Sequence, residues 1–331
     1  MPVTLVGRTR ERAELTAAWA ATAGGATGPQ VAVLTGDPGT GKSALVTAAL
    51  ADLDPAPVTV LHGQARIHSP APYDWLAAVL SGRDTRGLPA PGPALAWLAQ
   101  HDAAPVERFA PGALLRVATR VVRALAGTGP AVLVVEDLHA LDPASLNLVG
   151  DLAVAPGLPA LLLVTSRPSA DPLVARTLAR LTGTPGAVRQ HLGPLRPADV
   201  ADVLAQVYPG RDITEAAARK VWDRTAGNAY RLTELIATTA ADDVAALLRE
   251  PDGTAEPAAE LTAREVEVLV CLRDGMANKQ IARALGISVR TVTVHVSNLL
   301  RKTGTASRTE AALWAVRHSH RTPSLTPRSQ P

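Results

Sequence analysis

Gly36-Asp37-Pro38-Gly39-Thr40-Gly41-Lys42-Ser43 meets every fixed position of the pattern G-x-x-x-x-G-K-[ST]. That spacing suits phosphate binding. Glycines let the backbone curl so that successive N–H groups converge on an anion. A helix starting there adds the partial positive charge of its N-terminus. Lys42 then reaches the β- and γ-phosphates and Ser43 offers its hydroxyl to Mg²⁺. Gly36, Gly39, Thr40, Gly41, Lys42 and Ser43 are therefore the expected phosphate site. The apolar run Ala131–Val135 ends in Glu136-Asp137. A carboxylate at the end of a neighbouring strand is where Mg²⁺ and an attacking water need an acid. Either of these two acids can hold the metal-bound water while the other polarises the nucleophile. A third run, Leu161–Val164, ends in Thr165-Ser166-Arg167, where Arg167 or Thr165 is placed to sense the γ-phosphate; a plain surface arginine is the alternative.

These groups need a sheet to bring them together. Residues 31–35, 57–61, 131–135, 160–165 and 187–192 are short apolar runs with helical patterns between them, which predicts an α/β fold with a parallel, doubly wound sheet. From 172 to 250 the strands stop, and helices are expected near 172–182, 197–207, 213–225 and 230–248. Glu250–Glu260 holds two prolines, a glycine and no large apolar residue, and reads as a linker. The stretch from about His318 is polar and reads as a disordered tail.

Charge is unevenly distributed. Residues 1–250 carry 22 basic and 23 acidic side chains, whereas residues 261–331 carry 11 basic and 4 acidic. A basic end on a near-neutral body suggests a polyanion partner, although charge alone does not separate this from a solvated tail. Pattern goes further. Thr262-Ala263-Arg264-Glu265 is a capping box that starts a helix, with Leu261 and Val266 as its hydrophobic staple, and Asp274-Gly275 ends it. A second helix is expected over 278–285, with Gly286 as the turn residue and Ser288 as the cap of a third. In that third helix Val289, Val292, Val296, Leu299 and Leu300 project to one side, and Arg290, Thr291, Val294, Asn298 and Arg301 to the other. The second strip suits a recognition helix in the major groove, with Lys279, Arg301 and Lys302 placed for phosphates.

Two resemblances follow from these residues. LVGRTRERAEL at 5–15, the phosphate loop, VVEDLHALD at 134–142, VTSRP at 164–168 and GNAYRLTEL at 227–235 occur in the order seen in STAND-type ATPases, relatives of the AAA+ proteins, and in the large ATP-binding LuxR-type regulators. The resemblance implies that Val6, Gly7 and Arg8 neighbour the base, that Glu136 and Asp137 are the Walker B pair acting in catalysis with Mg²⁺, and that Arg167 is a sensor. It also implies a helical lid whose proline approaches the nucleotide; Ala229 stands at that position here, which predicts a weaker lid contact. Residues 261–317 resemble the LuxR-type helix-turn-helix along the whole four-helix domain, whose last helix, here 307–317, is implied to carry dimer contacts. Two departures stand out, Thr293 for a basic residue and Thr303 for a leucine.

The expected layout is a P-loop ATPase core over 1–171, a helical lid over 172–249, a linker over 250–260, a helix-turn-helix domain over 261–318 and a tail over 319–331. The expected function is ATP-binding, sequence-specific DNA-binding regulation of transcription, with ATP/ADP and Mg²⁺ as ligands and hydrolysis, where it occurs, as a slow switch. Promoter or operator DNA is the expected partner, in a homodimer or ATP-driven homo-oligomer, with RNA polymerase as a further candidate. The alternatives are a constitutive DNA-binding protein with a vestigial nucleotide fold and an ATPase tethered to DNA. The single cysteine, Cys271, excludes an intrachain disulfide and reads as a buried thiol. The N-terminus has no signal-peptide pattern and no apolar run approaches the roughly 20 residues of a membrane span, so a bacterial cytoplasmic protein is expected.

Overall fold

The computed structural model describes residues 5–64, 71–100, 109–239, 247, 261–276, 278–287, 289–303, 305 and 308–317. The chain divides into two units, Met1–Leu248 and Arg249–Pro331.

The first unit is built on five parallel strands, β1 (Gln30–Gly36), β2 (Thr59–Gln64), β3 (Ala131–Glu136), β4 (Ala160–Ser166) and β5 (Val188–Leu192), in the order β2-β3-β4-β1-β5. The central strands β3 and β4 are buried at every position, as near-continuous apolar runs in a parallel sheet must be. One sheet face, through Ala32, Leu34, Val132, Val134, Leu161 and Leu163, packs on α1 (Thr9–Ala23) and α2 (Lys42–Asp52). The other, through Val31, Val33, Leu133, Val135, Leu162 and Val164, packs on α3 (Asp74–Leu80), α4 (Gly92–Leu98), α5 (Pro111–Ala126), α6 (Pro143–Leu152) and α7 (Pro172–Thr182). Register does the positioning. Thr35 pairs with Ser166 and Val135 with Val164, so β1, β4 and β3 end level and deliver Gly36, Arg167, Glu136 and Asp137 to one rim.

Beyond β5 lies a helical subdomain of α8 (Pro197–Val207), α9 (Glu215–Thr225) and α10 (Ala229–Thr238), with a core of its own around Val200, Leu204, Val221 and Leu232. Two expectations need correction. The strand expected at 57–61 starts at Thr59 and continues to Gln64, because the prolines at 55 and 57 delay pairing and β3 offers partners as far as Glu136. The helix expected over 230–248 is interrupted after Thr238: Thr239 is extended, with ψ 136°, and its hydroxyl bonds back to Leu235 O, Leu247 is again helical, and 240–246 and 248 lie outside the described residues. Consecutive β-branched threonines weaken a helix there.

The second unit is a bundle of α11 (Ala263–Arg273), α12 (Asn278–Leu285), α13 (Val289–Thr303) and α14 (Arg308–Arg317) around Val268, Leu269, Leu272, Ile281, Val292, Leu299 and Ala311. Thr262 and Glu265 form the reciprocal capping box, and Gly275 and Gly286 take the left-handed turn conformation at φ 76° and 64°. Cys271 is buried, and burial pushes its thiol pKa up. The linker at 250–260, the cap at Ser288 and the tail from 318 lie outside the described residues.

Candidate nucleotide site and DNA-binding domain

The phosphate loop leaves β1 with Gly36, Gly39 and Gly41 at φ 154°, 78° and 92°, conformations that L side chains rarely adopt. Gly41 is the N-cap of α2, so that helix begins under the loop. Lys42 is buried, and its Nζ donates to Gly36 O at 2.8 Å and Asp37 O at 2.9 Å. Burial, reinforced by Arg167, lowers its pKa; Asp137 and Asp37 oppose the shift. Thr40 donates to Asp37 O at 2.9 Å, which braces the turn.

The two acids occupy different surroundings. Glu136 is buried, accepts from the Ser43 hydroxyl through Oε2 and contacts His62 Nε2 through Oε1 at 2.8 Å. Asp137 sits in the left-handed region at φ 53°; its N–H donates to Thr165 Oγ1 at 3.1 Å and its carboxylate accepts from Gln64 Nε2 at 3.2 Å. Ser43 and Glu136 thus present two hard oxygen donors at one point. That set suits Mg²⁺, which takes few protein ligands and completes its shell with phosphate and water. Among the described residues no group of three or more His, Cys, Asp or Glu side chains is placed to hold a metal ion. Asp137 lines the open phosphate cleft with Lys42, Ser43, Arg167 and Tyr230, around a volume of about 360 Å³. The two acids thus face different ways: Glu136 meets the Ser43 hydroxyl and Asp137 the cleft. Thr165 is buried beneath Asp137, whereas Arg167 lines the cleft. The Arg167 N–H donates to His139 Nδ1 at 3.3 Å, and burial lowers the pKa of that imidazole.

A second cavity of about 340 Å³ adjoins the first and shares Gly41, Ala44, Ala229 and Thr233 with it. Leu5, Val6, Leu195, Val203, Leu232 and Ile236 make it almost wholly apolar, the lining a stacked base requires. Arg8 also lines it, but its Nη2 donates to Thr40 O at 3.2 Å and Gly193 O at 2.6 Å, and its Nη1 pairs with Glu11. Arg8 therefore ties the phosphate loop to the root of the helical subdomain. Gly7 does not line the cavity. At φ 72° it packs on Asp199, whose Cγ would lie 2.6 Å from any Cβ there.

The helical subdomain closes over both cavities. Asn228 caps α10 by accepting the Arg231 N–H at 3.1 Å, and its Nδ2 donates to Pro38 O at 2.8 Å. The Tyr230 N–H donates to Gly39 O at 3.0 Å. The residues on either side of Ala229 thus fasten the lid to the phosphate loop itself. His62, Gln64, His139 and Asn228 were not singled out from sequence. Asn228 carried a signal, a capping residue before an apolar helix; the other three carried none, because strand pairing and the β3–β4 rim bring them in.

In the second unit Val292 and Leu299 are buried, Val296 and Leu300 pack against the core, and Thr291 is exposed on the other side of α13. Asn298 is half-buried. The side chains of Lys279, Arg290, Val294 and Arg301 lie outside the described residues. Lys302, expected at a phosphate, donates its Nζ to the buried Glu265 at 2.7 Å, with 22% of its side chain exposed. Burial acts to raise the Glu265 pKa, but the bonds from Lys302 and Thr262 outweigh it and hold the carboxyl below its usual range. Thr303, where a leucine was expected, bonds back to Leu299 O at 2.8 Å.

Comparison with known proteins agrees with both units. Residues 4–164 match the AAA ATPase domain, and residues 259–315 match the bacterial regulatory proteins of the luxR family. This chain joins an AAA ATPase domain to a LuxR-family DNA-binding domain. Over 60 residues it is 53% identical to the uncharacterized transcriptional regulatory protein YhcZ of Bacillus subtilis, covering 18% of this chain and 28% of that one. Over 78 residues it is 38% identical to the transcriptional regulatory protein LiaR of Bacillus subtilis, covering 24% and 37%. Over 59 residues it is 42% identical to the response regulator protein VraR of Staphylococcus aureus, covering 18% and 28%. The matches span between 28% and 37% of those relatives. Among solved structures, the Aeropyrum pernix ORC1 protein in complex with DNA aligns with a TM-score of 0.58 at 19% identity, over 91% of this chain and 85% of that one. The Aeropyrum pernix ORC2 protein aligns at 0.50 and 14%, over 97% and 86%. At these identities the likeness is one of fold. Among the described residues no helix is long and apolar enough to cross a membrane.

Proposed function

We propose that this protein is an ATP-binding, sequence-specific regulator of transcription whose nucleotide state controls its assembly or its hold on DNA. The observation that carries this reading is the position of Ala229. As the first residue of α10 it lines both the base cavity and the phosphate cleft, so the subdomain meets whatever occupies either one. Asn228 and Tyr230 fasten the same helix to the phosphate loop. A ligand moves a conformational equilibrium only by differential affinity, and a change from 1:99 to 99:1 takes about 5.5 kcal/mol. The γ-phosphate, through Lys42, Arg167 and Asp137, is the natural source of that difference.

In this reading Gly36, Gly39, Thr40, Gly41, Lys42 and Ser43 bind the phosphates, and Arg8 shapes the base end. Ser43 and Glu136 hold Mg²⁺, which when bound neutralises phosphate charge. Asp137 orients a water for slow hydrolysis and Arg167 senses the γ-phosphate. On DNA, Arg290, Thr291, Val294 and Asn298 face base edges while Lys279 and Arg301 meet phosphates; Lys302 positions α13 from within the domain. Pairing of two copies suits half-sites about one helical turn apart. The test is DNA affinity, by gel shift on a site selected from random sequence, measured without nucleotide, with Mg·ADP and with Mg·ATP. The reading requires the ATP and ADP values to differ; equal affinity in all three conditions sinks it.

A further inference from the structure

The two helical layers of the ATPase unit differ in charge. On one face, α1 and α2 carry Arg10, Arg12 and Lys42 against Glu11, Glu14 and Asp52. On the other, α3 to α7 carry Arg116, Arg120, Arg123, Arg176 and Arg180 against Asp151 and the buried Asp74. On α5 the three arginines fall within about 60° of one direction at 100° per residue, and Arg176 and Arg180 are one turn apart on α7. Arg180 pairs with Asp151 at 3.2 Å and Arg123 donates to Pro156 O at 2.6 Å. Arg116, Arg120 and Arg176 are exposed and make no ion pair among the described residues.

We infer that this face is a second DNA-contacting surface, binding the phosphate backbone without reading sequence. Neighbouring helices pack about 8–10 Å apart, so the α5 and α7 rows, two spacings apart across α6, stand about 16–20 Å from each other. That separation spans a major groove of about 12 Å together with its flanking phosphates. Arginine forks suit phosphate oxygens. A protein partner would call for an apolar core within the interface, whereas the large exposed hydrophobics among the described residues are Val58, Val154 and Tyr230, and only Val154 belongs to the α6 end of this layer. The inference rests on the DNA-binding reading of the second unit, and the test separates the two.

The full chain is titrated with a 60-base-pair random-sequence duplex and with a selected site, over 50–200 mM salt. The Arg116→Gln, Arg120→Gln, Arg176→Gln triple variant is compared with the corresponding lysine triple and with Asn298→Ala. Each lost phosphate contact lowers the slope of log K against log salt by about 0.9, so three lower it by about 2–3 and shrink the salt-induced loss of affinity about 40-fold. The lysine triple retains the wild-type slope, and Asn298→Ala loses preference for the selected site while keeping its slope on random DNA. A wild-type slope in the glutamine triple, alongside lost preference in Asn298→Ala, overturns the second surface and leaves the DNA-binding reading standing. Lack of DNA binding by the wild type overturns both. An unchanged slope with an altered sedimentation coefficient also overturns the inference and assigns the face to self-association. Should the glutamine triple fail to fold, Arg120→Glu alone, at an exposed position, decides by the same slope.

Discussion

Replacing Asn228 separates its two bonds. Its Oδ1 caps α10 and its Nδ2 donates to Pro38 O at 2.8 Å. Serine caps a helix about as well as asparagine but is too short to reach Pro38. Asn228→Ser therefore removes only the tie between lid and phosphate loop. A neutral hydrogen bond of this kind contributes about 0.5–1.5 kcal/mol, or about 2- to 12-fold in a rate limited by lid release. Asn228→Ala removes the tie and also the cap, a further cost of about 1 kcal/mol to α10. Displacement of a fluorescent ADP by excess ADP in stopped flow is expected to show both variants releasing nucleotide faster. Hydrogen exchange over 229–238 is expected to rise beyond the serine level only in the alanine variant. Wild-type ADP release in Asn228→Ser would refute the claim that this bond holds the lid to the loop. Release that tracks only the helix's exchange rate would assign Asn228 to capping alone.

Three further predictions follow from the same geometry. Glu136→Gln is expected to abolish the Mg²⁺-dependent gain in nucleotide affinity, whereas Asp137→Asn keeps that gain and slows hydrolysis by about 10²- to 10⁴-fold; titration calorimetry with and without Mg²⁺, paired with single-turnover assays, checks this, and exchanged phenotypes would swap the roles. Ala229→Pro is expected to be tolerated, since the site is the first position of α10, Asn228 before it is extended at φ −74°, ψ 117°, and the fixed ring stabilises by about 0.4–1 kcal/mol through the unfolded chain; a drop in melting temperature contradicts it. Lys302→Met is expected to destabilise the second unit by about 1.5–3 kcal/mol, the worth of a charged hydrogen bond. Because Glu265 has its pKa lowered in the folded state, its contribution is present above the ordinary glutamate pKa and is lost as pH falls through the folded value. The gap between wild type and variant in urea melts therefore closes on acidification; a gap constant with pH would exclude the Lys302–Glu265 pair as its source.

Local patterns in this chain were legible wherever one short segment carried both the chemistry and the conformation. The phosphate loop is such a segment: its glycines, lysine and serine lie within eight positions and their φ values follow from residue type. The same holds for the Thr262–Glu265 capping box and for the glycines that close α11 and α12. The centre of the parallel sheet was legible because its buried strands β3 and β4 are near-continuous apolar runs. The partner of Lys302 was not legible, because a cation beside a recognition helix suits DNA and a buried carboxylate equally well and Glu265 lies 37 residues away. The end of α10 was misread because an apolar period continued past the point where the threonines leave the helix.

The sequence by itself determined that a phosphate-binding loop and a helix-turn-helix exist, because each is encoded by residues within a few turns of one another. Only the tertiary structure decided which acid faces Ser43 and which faces the cleft. It also seated Arg8 on Thr40 and Gly193, and set Asn228 against a loop 190 residues earlier in the chain. Those outcomes depend on parallel register and on packing of the helical subdomain, contacts between distant segments that no local pattern of residues specifies.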